Sequence, residues 1–373
     1  MQFIGIDLHT NKFTCSYRDE NTPPDAKKGE RTETFDLNDW GISTFIETLE
    51  VESYVLVEAT ITTFAFVRLI QPFVKEVFVA NTYELKQISQ GRNNTDKIDA
   101  NILSRTIKMQ VVSKEHLISS VFIPSEDIQE LRSLFSTYRL QKKQTTQIKN
   151  RIHSLLKEQL YGFTQEEIFD KKSREKIRNL KTKVASLSFQ LNYLFDQLEF
   201  IEAQVELLKK QILLQAAPYI KEIEILTSMK GISVFIAAAI IADIATVDRF
   251  KNSKHFTSYL RSAPGVSSSN TSEKKCGTNK KGRKLASTLI TQTLIHVLSA
   301  SHRLSRWYEN QVDVEHKKPG IVRTGLRRKV FTEIYKMLVK GEYHYAREEQ
   351  KHKAKMSQYR NFLKKEKILL EIA

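Results

Sequence analysis

The chain has 373 residues, enough for two or three domains with a sizeable hydrophobic core. Its 59 basic and 43 acidic side chains give a formal net charge of +16, which indicates a polyanionic partner, nucleic acid before an anionic membrane surface. Two cysteines, Cys15 and Cys276, exclude a disulfide scaffold and fit a reducing cytoplasm. The longest apolar stretch, residues 234–242, is too short to span a bilayer, and Asp7 stands where a signal peptide needs apolar residues. We therefore expect a cytoplasmic protein without a membrane partner.

The charge is divided unevenly along the chain. Residues 1–115 carry 13 basic and 17 acidic side chains, whereas the remaining residues carry 46 and 26. The first segment thus has a net charge of −4 and the rest a net charge of +20. This division predicts an acidic domain that is followed by a basic surface for nucleic acid.

The first segment, residues 1–118, has the pattern of an α/β domain. Strand-like runs lie at residues 3–7, 12–18, 33–37, 54–57 and 77–79, and helical patterns follow the third and fourth of them. Three strands, a helix, a strand, a helix and another strand is the order of a ribonuclease-H-like (RuvC-like) mixed sheet. Periodicity alone does not separate that fold from other α/β sheets.

The rest of the chain has helical patterns. In residues 119–218, apolar side chains recur at alternating spacings of three and four from Val184 to Ile212, which predicts a coiled coil within one chain or between two. The pattern of residues 219–345 predicts a helical domain that a polar loop at 267–283 interrupts. A basic run from His316 to Lys329 in this domain predicts a face that binds nucleic acid. Residues 346–373 predict a basic helical tail that is solvated or lies on nucleic acid.

Four carboxylates occupy the ends of elements in the first segment. Asp7 follows the first strand, Glu58 follows the central strand, and Asp96 and Asp99 lie three residues apart at the start of a helix. Four converging carboxylates would repel one another unless divalent cations lay between them, and oxygen ligands favour Mg²⁺. Two such ions can assist phosphoryl transfer. Alternatively, Asp96 and Asp99 are only first-turn acids that the helix dipole favours.

The polar loop contains serines in a basic setting. Ser267, Ser268, Ser269 and Ser272 precede a run of lysines and glycines that suits contact with a phosphate backbone. On composition alone, a flexible loop that only binds nucleic acid explains this stretch. A hydroxyl nucleophile there would need a base or metal from another domain.

These elements together resemble the insertion-sequence-110 family of transposases, relatives of the Piv DNA invertases. The resemblance rests on Gly5-Ile6-Asp7, Val57-Glu58-Ala59 and the segment 95–100, Thr-Asp-Lys-Ile-Asp-Ala, which are similar to the family's DEDD motif. It also rests on the serine loop after residues 260–265 and on the basic run 280–285, which are similar to its C-terminal transposase domain. The resemblance covers residues 1–345.

The resemblance implies a specific mechanism and set of partners. It implies that Asp7, Glu58, Asp96 and Asp99 bind Mg²⁺ and that a serine of the loop attacks DNA, forming a covalent 5′-phosphoserine. It implies donor and target DNA as partners, a structured bridge RNA as guide, and homodimers that pair into tetramers. Ser272 matches the family's Asn-x-Ser context but lacks the glycine that usually follows, so Ser268 and Ser269 stay as alternatives.

Two other functions compete with a transposase or site-specific recombinase. One is a metal-dependent, Holliday-junction-type nuclease that uses water, with the serine loop only binding DNA. The other is a non-catalytic coiled-coil scaffold that binds nucleic acid. The sequence gives neither the donor and target sequences nor whether a guide RNA is required.

Overall fold

The computed structural model describes residues 1–23, 26, 28–81, 85, 95–180, 184–269, 272–278 and 281–366. The chain divides into two compact units, Met1–Pro124 and Ser125–Ala373. The finer division into four domains that the sequence suggests stays a prediction. None of the described helices is long and apolar enough to cross a bilayer.

The first unit is built on a five-stranded mixed sheet, as predicted. Its strands are β1 (Gln2–Leu8), β2 (Lys12–Arg18), β3 (Arg31–Asp36), β4 (Ser53–Glu58) and β5 (Glu76–Ala80), in the order β3-β2-β1-β4-β5. The first three strands pair antiparallel, and β4 pairs parallel with both β1 and β5. The helices among its described residues include α1 (Asp39–Ile46), α2 (Thr63–Ile70) and α3 (Asp96–Ser113). The carboxyl ends of β1 and β4 therefore lie side by side.

Helix α3 is fixed to the sheet by buried polar contacts. Ser104 on α3 lies 3.0 Å from the Ser16 hydroxyl and accepts a hydrogen bond from the Arg18 Nε at 3.0 Å. Further along the helix, the buried Lys108 ammonium donates to the carbonyls of Asp19, Glu20 and Thr22, at 2.7, 2.9 and 2.5 Å. These bonds satisfy polar groups that would otherwise be costly to bury, and they hold α3 at one position on the sheet.

The described residues of the second unit form helices and one hairpin. Its helices are α4 (Glu126–Glu158), α5 (Gln165–Phe169), α6 (Lys171–Arg178), α7 (Ala185–Gln215), α8 (Ile220–Thr227), α9 (Val234–Ile244), α10 (Ser253–Tyr259), α11 (Leu285–Leu298), α12 (His302–Glu309), α13 (Pro319–Lys340) and α14 (Glu349–Lys365). Short 3₁₀ turns lie at Gln71–Phe73 and Ala217–Tyr219, and a π-helical turn lies at Asn310–Val314.

The two long helices, α4 and α7, pack along each other within the chain. Leu187, Leu191 and Leu198, which belong to the predicted apolar repeat, are buried against Ile152 and Leu156 of α4. The repeat therefore serves contacts inside the chain. Pairing of α7 with a second chain stays a prediction.

The structure changes two expectations for the second unit. The tail helix α14 is not simply solvated, because Met356, Tyr359 and Leu363 are buried in the main core of the unit, whereas its contact with nucleic acid stays a prediction. Their spacings of three and four form an apolar face that the abundance of lysine in this segment obscures. The polar loop also forms a hairpin, with strands β6 (Pro264–Ser269) and β7 (Ser272–Thr278).

Candidate active site

Strand register places two of the predicted acids side by side. Asp7 lies near the end of β1 and is only 5% exposed. Ile6 pairs with Val57 across the parallel strands β1 and β4, so Asp7 and Glu58 are the next residues of the two strands. Residues at the same register of parallel strands point to the same face, which directs both carboxylates to one side of the sheet. Glu58 is half-buried.

Helix α3 brings the other two acids to this edge because it approaches β1 closely. A Cβ at Gly5 would lie 2.1 Å from the Ser104 amide nitrogen and 2.2 Å from the Ala100 carbonyl oxygen, so only glycine permits the contact. With its backbone against β1, α3 presents its first turn, which holds Asp96 and Asp99, beside the end of the strand. Their i, i+3 spacing places both on one helical face.

A histidine completes the cluster. His9 Nε2 lies 3.2 Å from Asp7 Oδ2 and 3.3 Å from Asp96 Oδ1, while Lys12 Nζ lies 3.1 Å from Asp96 Oδ2. His9 and Lys12 were not among the residues predicted for this site. The signal for His9 was its spacing of two from Asp7, which puts both side chains on the same face of an extended segment.

The electrostatics show that the three aspartates act on one another. Burial raises the pKa of Asp7, and the charges of Asp99 and Asp96 raise it further, although the nearby His9 lowers it. Burial and the charge of Asp96 raise the pKa of Asp99. Lys12 lowers the pKa of Asp96 through its hydrogen bond. The cluster thus concentrates negative charge at a partly buried position.

The donor set suits a divalent cation. Single ligand atoms of Asp7, His9 and Asp96 all lie within 4.8 Å of one another, close enough to share one ion. Carboxylate oxygens are hard ligands, and a cation among them would relieve the repulsion that raises the pKa of Asp7. Glu58 and Asp99 do not belong to this group of ligand atoms, although strand register places Glu58 next to Asp7 and the charge of Asp99 acts on Asp7.

The candidate serines lie in the hairpin of the second unit. Ser269 pairs with Ser272, and Ser268 pairs with Glu273, so all three serines lie at the closed end of the hairpin. Residues 270 and 271, which join the strands, lie outside the described residues. Strand pairing places each serine but does not select one of them as a nucleophile.

The open end of the hairpin is fastened to the helical core. Arg261 Nε donates to the Gly282 carbonyl at 2.6 Å, and the Arg283 amide donates to the Tyr259 carbonyl at 3.0 Å. Gly282 adopts a φ of 95°, and a Cβ there would lie 2.2 Å from the Tyr259 carbonyl oxygen. These contacts hold the two strands together where they leave the core.

A buried aspartate anchors this end of the hairpin. Asp243 on α9 is 1% exposed, and its carboxylate accepts from Arg283 Nε and from the Ala286 amide, both at 2.8 Å. The second bond satisfies an amide in the first turn of α11, which would otherwise be unpaired. Arg327 adds bonds to Ser262 and to the Arg261 carbonyl, at 3.0 and 3.1 Å. Sequence analysis did not single out Asp243, because its carboxylate lies in an apolar helix far from its partners in the sequence.

The mixed sheet with helix α3 across it fits a RuvC-like α/β fold, and this fold carries an acidic cluster at its edge. Two models of known protein families match this sequence. The family model "Transposase", of the insertion-sequence-110 DEDD type, matches residues 4–160. The model "Transposase IS116/IS110/IS902 family" matches residues 223–309. The chain belongs to the IS110 family of transposases.

Membership in this family makes the chain an enzyme that acts on DNA by cutting and rejoining it. The DEDD type of its first match also indicates use of a divalent metal. No curated protein gives a significant match to the chain.

Proposed function

We propose that the protein is a site-specific recombinase that moves its own DNA element through a covalent 5′-phosphoserine. The observation that carries the proposal is the cluster of Asp7, His9 and Asp96 at the sheet edge of an IS110-family transposase. The +20 net charge outside residues 1–115 supports DNA, donor and target, as the partner.

In the proposed reaction, the hydroxyl oxygen of Ser272 attacks a backbone phosphorus. The Oγ–P bond forms, the P–O3′ bond breaks, and the hydroxyl proton is transferred to the released 3′-oxygen. Rejoining reverses these changes when a 3′-hydroxyl attacks the phosphoserine. The hairpin presents the serine at its closed end, and Asp243 and Arg327 fix its open end.

The first unit contributes a cation site to this reaction. Asp7, Glu58, Asp96 and Asp99 would hold Mg²⁺, with His9 beside them. When bound, the cation supplies positive charge against the phosphate oxygens. The residues themselves fix its position: Asp7 is held by the sheet, and Asp96 is oriented by Lys12.

The test of the nucleophile is a covalent adduct between protein and DNA. The full-length protein is incubated with Mg²⁺ and a supercoiled plasmid that carries the DNA flanking its coding sequence, and the products are run on a denaturing gel. We expect a shifted protein–DNA band that Ser272→Ala abolishes. Ser268→Ala and Ser269→Ala are matched controls within the same hairpin, and they should retain the band. Loss of the band in Ser268→Ala or Ser269→Ala instead would reassign the nucleophile.

The same gel separates the competing functions. A water-using nuclease would release free 5′-phosphate ends without any shifted band. A non-catalytic scaffold would show no cut products, and its function in cells would survive Asp7→Ala and Asp96→Ala.

We further propose that a structured bridge RNA guides the protein in the cytoplasm and that it assembles as homodimers that pair into tetramers. The basic second unit supports an RNA partner. An exposed apolar row on α7, formed by Phe189, Phe200 and Leu207, supports pairing with a second chain. Sequencing of the RNA that co-purifies should give one discrete species, and a mixture of cellular RNAs would oppose guidance. Light scattering should show a dimer that Phe200→Glu dissociates.

A further inference from the structure

Trp307 on α12 stands between two cavities of the second unit. One cavity, of about 580 Å³, is bounded by Trp307 together with Arg328, Lys329 and Lys336 of α13. The other, of about 540 Å³, is bounded by Trp307 and Arg306. Both volumes are within the range of sites that hold small molecules, and either accommodates a nucleotide. The Trp307 side chain is partly buried against the helical core and borders both cavities.

The indole is covered on one face by a replaceable group. Lys329 Nζ lies 4.6 Å from the ring centroid, in a cation–π contact, and the lysine is exposed to solvent. A Cβ at Gly325 would come within 3.0 Å of the indole Cη2, so the absence of a side chain there lets α13 lie close to the ring edge. Because Lys329 is exposed, its ammonium can move into solvent when a flat ligand takes its place over the ring.

The cations around Trp307 are available to a ligand. Arg306, Arg328, Lys329 and Lys336 are exposed, and none of the described carboxylates forms an ion pair with them. Other cations nearby are already engaged. Arg303 pairs with Glu333. Within the predicted basic run, Arg327 turns inward to Ser262 whereas Arg328 and Lys329 are exposed, so the run has both structural and exposed members.

We propose that this surface, Trp307 with Arg306, Arg328, Lys329 and Lys336, binds an unpaired nucleotide of single-stranded DNA. The base stacks on the indole in place of Lys329, and the surrounding cations bind the flanking phosphates. An unpaired base is required because base faces are covered in a duplex. DNA is the partner because the family acts on DNA, so this assignment rests on the proposed function. Opening of DNA strands beside the cut would supply such a nucleotide.

Tryptophan fluorescence tests the proposal directly, because the chain has only two tryptophans, Trp40 and Trp307. In the full-length Trp40→Phe variant, all tryptophan emission comes from Trp307. Titration with a single-stranded oligothymidylate should quench this emission, since stacking brings the base onto the indole. A duplex of the same length should quench it far less at equal occupancy.

Variants separate stacking from charge. Trp307→Ala should weaken binding of labelled oligothymidylate about tenfold, and Trp307→Phe, which keeps a ring, should restore most of it. Replacing Arg328 and Lys329 by glutamine should lower the salt slope of the binding constant by about 1.4, as expected for two lost phosphate contacts to a single strand. The matched control replaces Lys364 and Lys365, an exposed pair at the end of α14, and should leave quenching unchanged.

Three results would overturn the proposal. The first is binding of oligothymidylate without quenching, and the second is equal affinity of the Trp307→Ala and wild-type proteins. The third is tighter binding and stronger quenching by oligouridylate, which would make RNA the ligand. The assay is independent of the serine chemistry. Loss of the covalent adduct with quenching intact would count against the proposed function alone, whereas an intact adduct without quenching would count against this surface alone.

Discussion

Two buried aspartates, one in each unit, have opposite surroundings. Asp243 in the helical unit is paired with Arg283 and accepts the Ala286 amide, so its charge is balanced inside the protein. Asp7 in the α/β unit has His9 at 3.2 Å, but burial and the charges of Asp99 and Asp96 outweigh this partner and raise the pKa of Asp7. A buried carboxylate that is paired with a cation of the protein, such as Asp243, stabilises the fold. A buried carboxylate close to other acids, such as Asp7, can bind an external cation.

The largest effect on DNA cleavage is expected from removing the charge of Asp7. Asp7→Asn should lower DNA cleavage by about 10³-fold or more, because it removes a ligand of the proposed cation site. In the absence of divalent cations its thermal midpoint should be equal to or above that of the wild type, since the substitution relieves repulsion. Asp39→Asn removes an exposed acid of α1 and is the control for net charge, with cleavage unchanged. An unfolded Asp7→Asn protein would contradict the comparison.

Removing the charge of Asp243 is expected to lower stability, in contrast to removing that of Asp7. Asp243→Ala should lower the free energy of unfolding of the second unit by about 3 kcal/mol, because it leaves Arg283 and an amide of α11 without their partner. Urea denaturation followed by circular dichroism measures the loss. Asp248→Ala, an exposed acid after the same helix, should change stability by less than about 0.5 kcal/mol. Equal losses for both variants would show that the Arg283 contact has no structural role.

A smaller effect is expected where helix α3 touches the sheet. Gly5→Ala should cost about 2 kcal/mol, because its Cβ would lie 2.1 Å from a backbone nitrogen and must push α3 away. Cleavage should fall as well, since Asp96 and Asp99 move with the helix. Gly320→Ala is the matched control, because a Cβ there meets nothing within 4 Å. If Gly5→Ala retained full cleavage, the close packing of α3 would not be what positions the acids.

The smallest effect concerns a paired carboxylate at the surface. Lys230 and Lys351 lower the pKa of Glu348 to about 2, from an ordinary value of 4.5. Because the folded-state pKa is lowered, this contact stabilises α14 above the ordinary carboxyl range and is lost as the pH falls from 4.5 towards 2. Lys230→Gln should move the Glu348 pKa upward in an NMR titration, and Lys340→Gln, which removes a lysine beside Glu342, should not. An unchanged Glu348 pKa in Lys230→Gln would exclude the ion pair in solution.

The strands were predictable because each one is a local pattern, whereas their arrangement in the sheet was expected only from the likeness of the element order to a ribonuclease-H-like fold. The structure confirms the mixed sheet, and register places Asp7 beside Glu58, as the sequence suggested. The roles of Asp7, Glu58, Asp96, Asp99 and Ser272 stay predictions.

Other features depend on contacts between distant residues, which no local pattern encodes. The contact of His9 with Asp96 depends on α3, about 90 residues later in the chain, whereas its contact with Asp7 is local. The apolar face of α14 was hidden by its lysines, and the hairpin around Ser272 lacks the apolar alternation that marks a strand. In each case the structure depends on a segment that lies far away in the sequence, and a local pattern does not identify that segment.

Lys108 has a consequence for how the metal can be studied. Its ammonium, bonded to three carbonyls of one loop, occupies the place that a structural cation would fill in a loop of this kind. A chelator cannot extract a covalently attached ammonium, so the loop keeps its shape when divalent ions are withdrawn. Activity lost to chelation would then not come from a change in the shape of this loop.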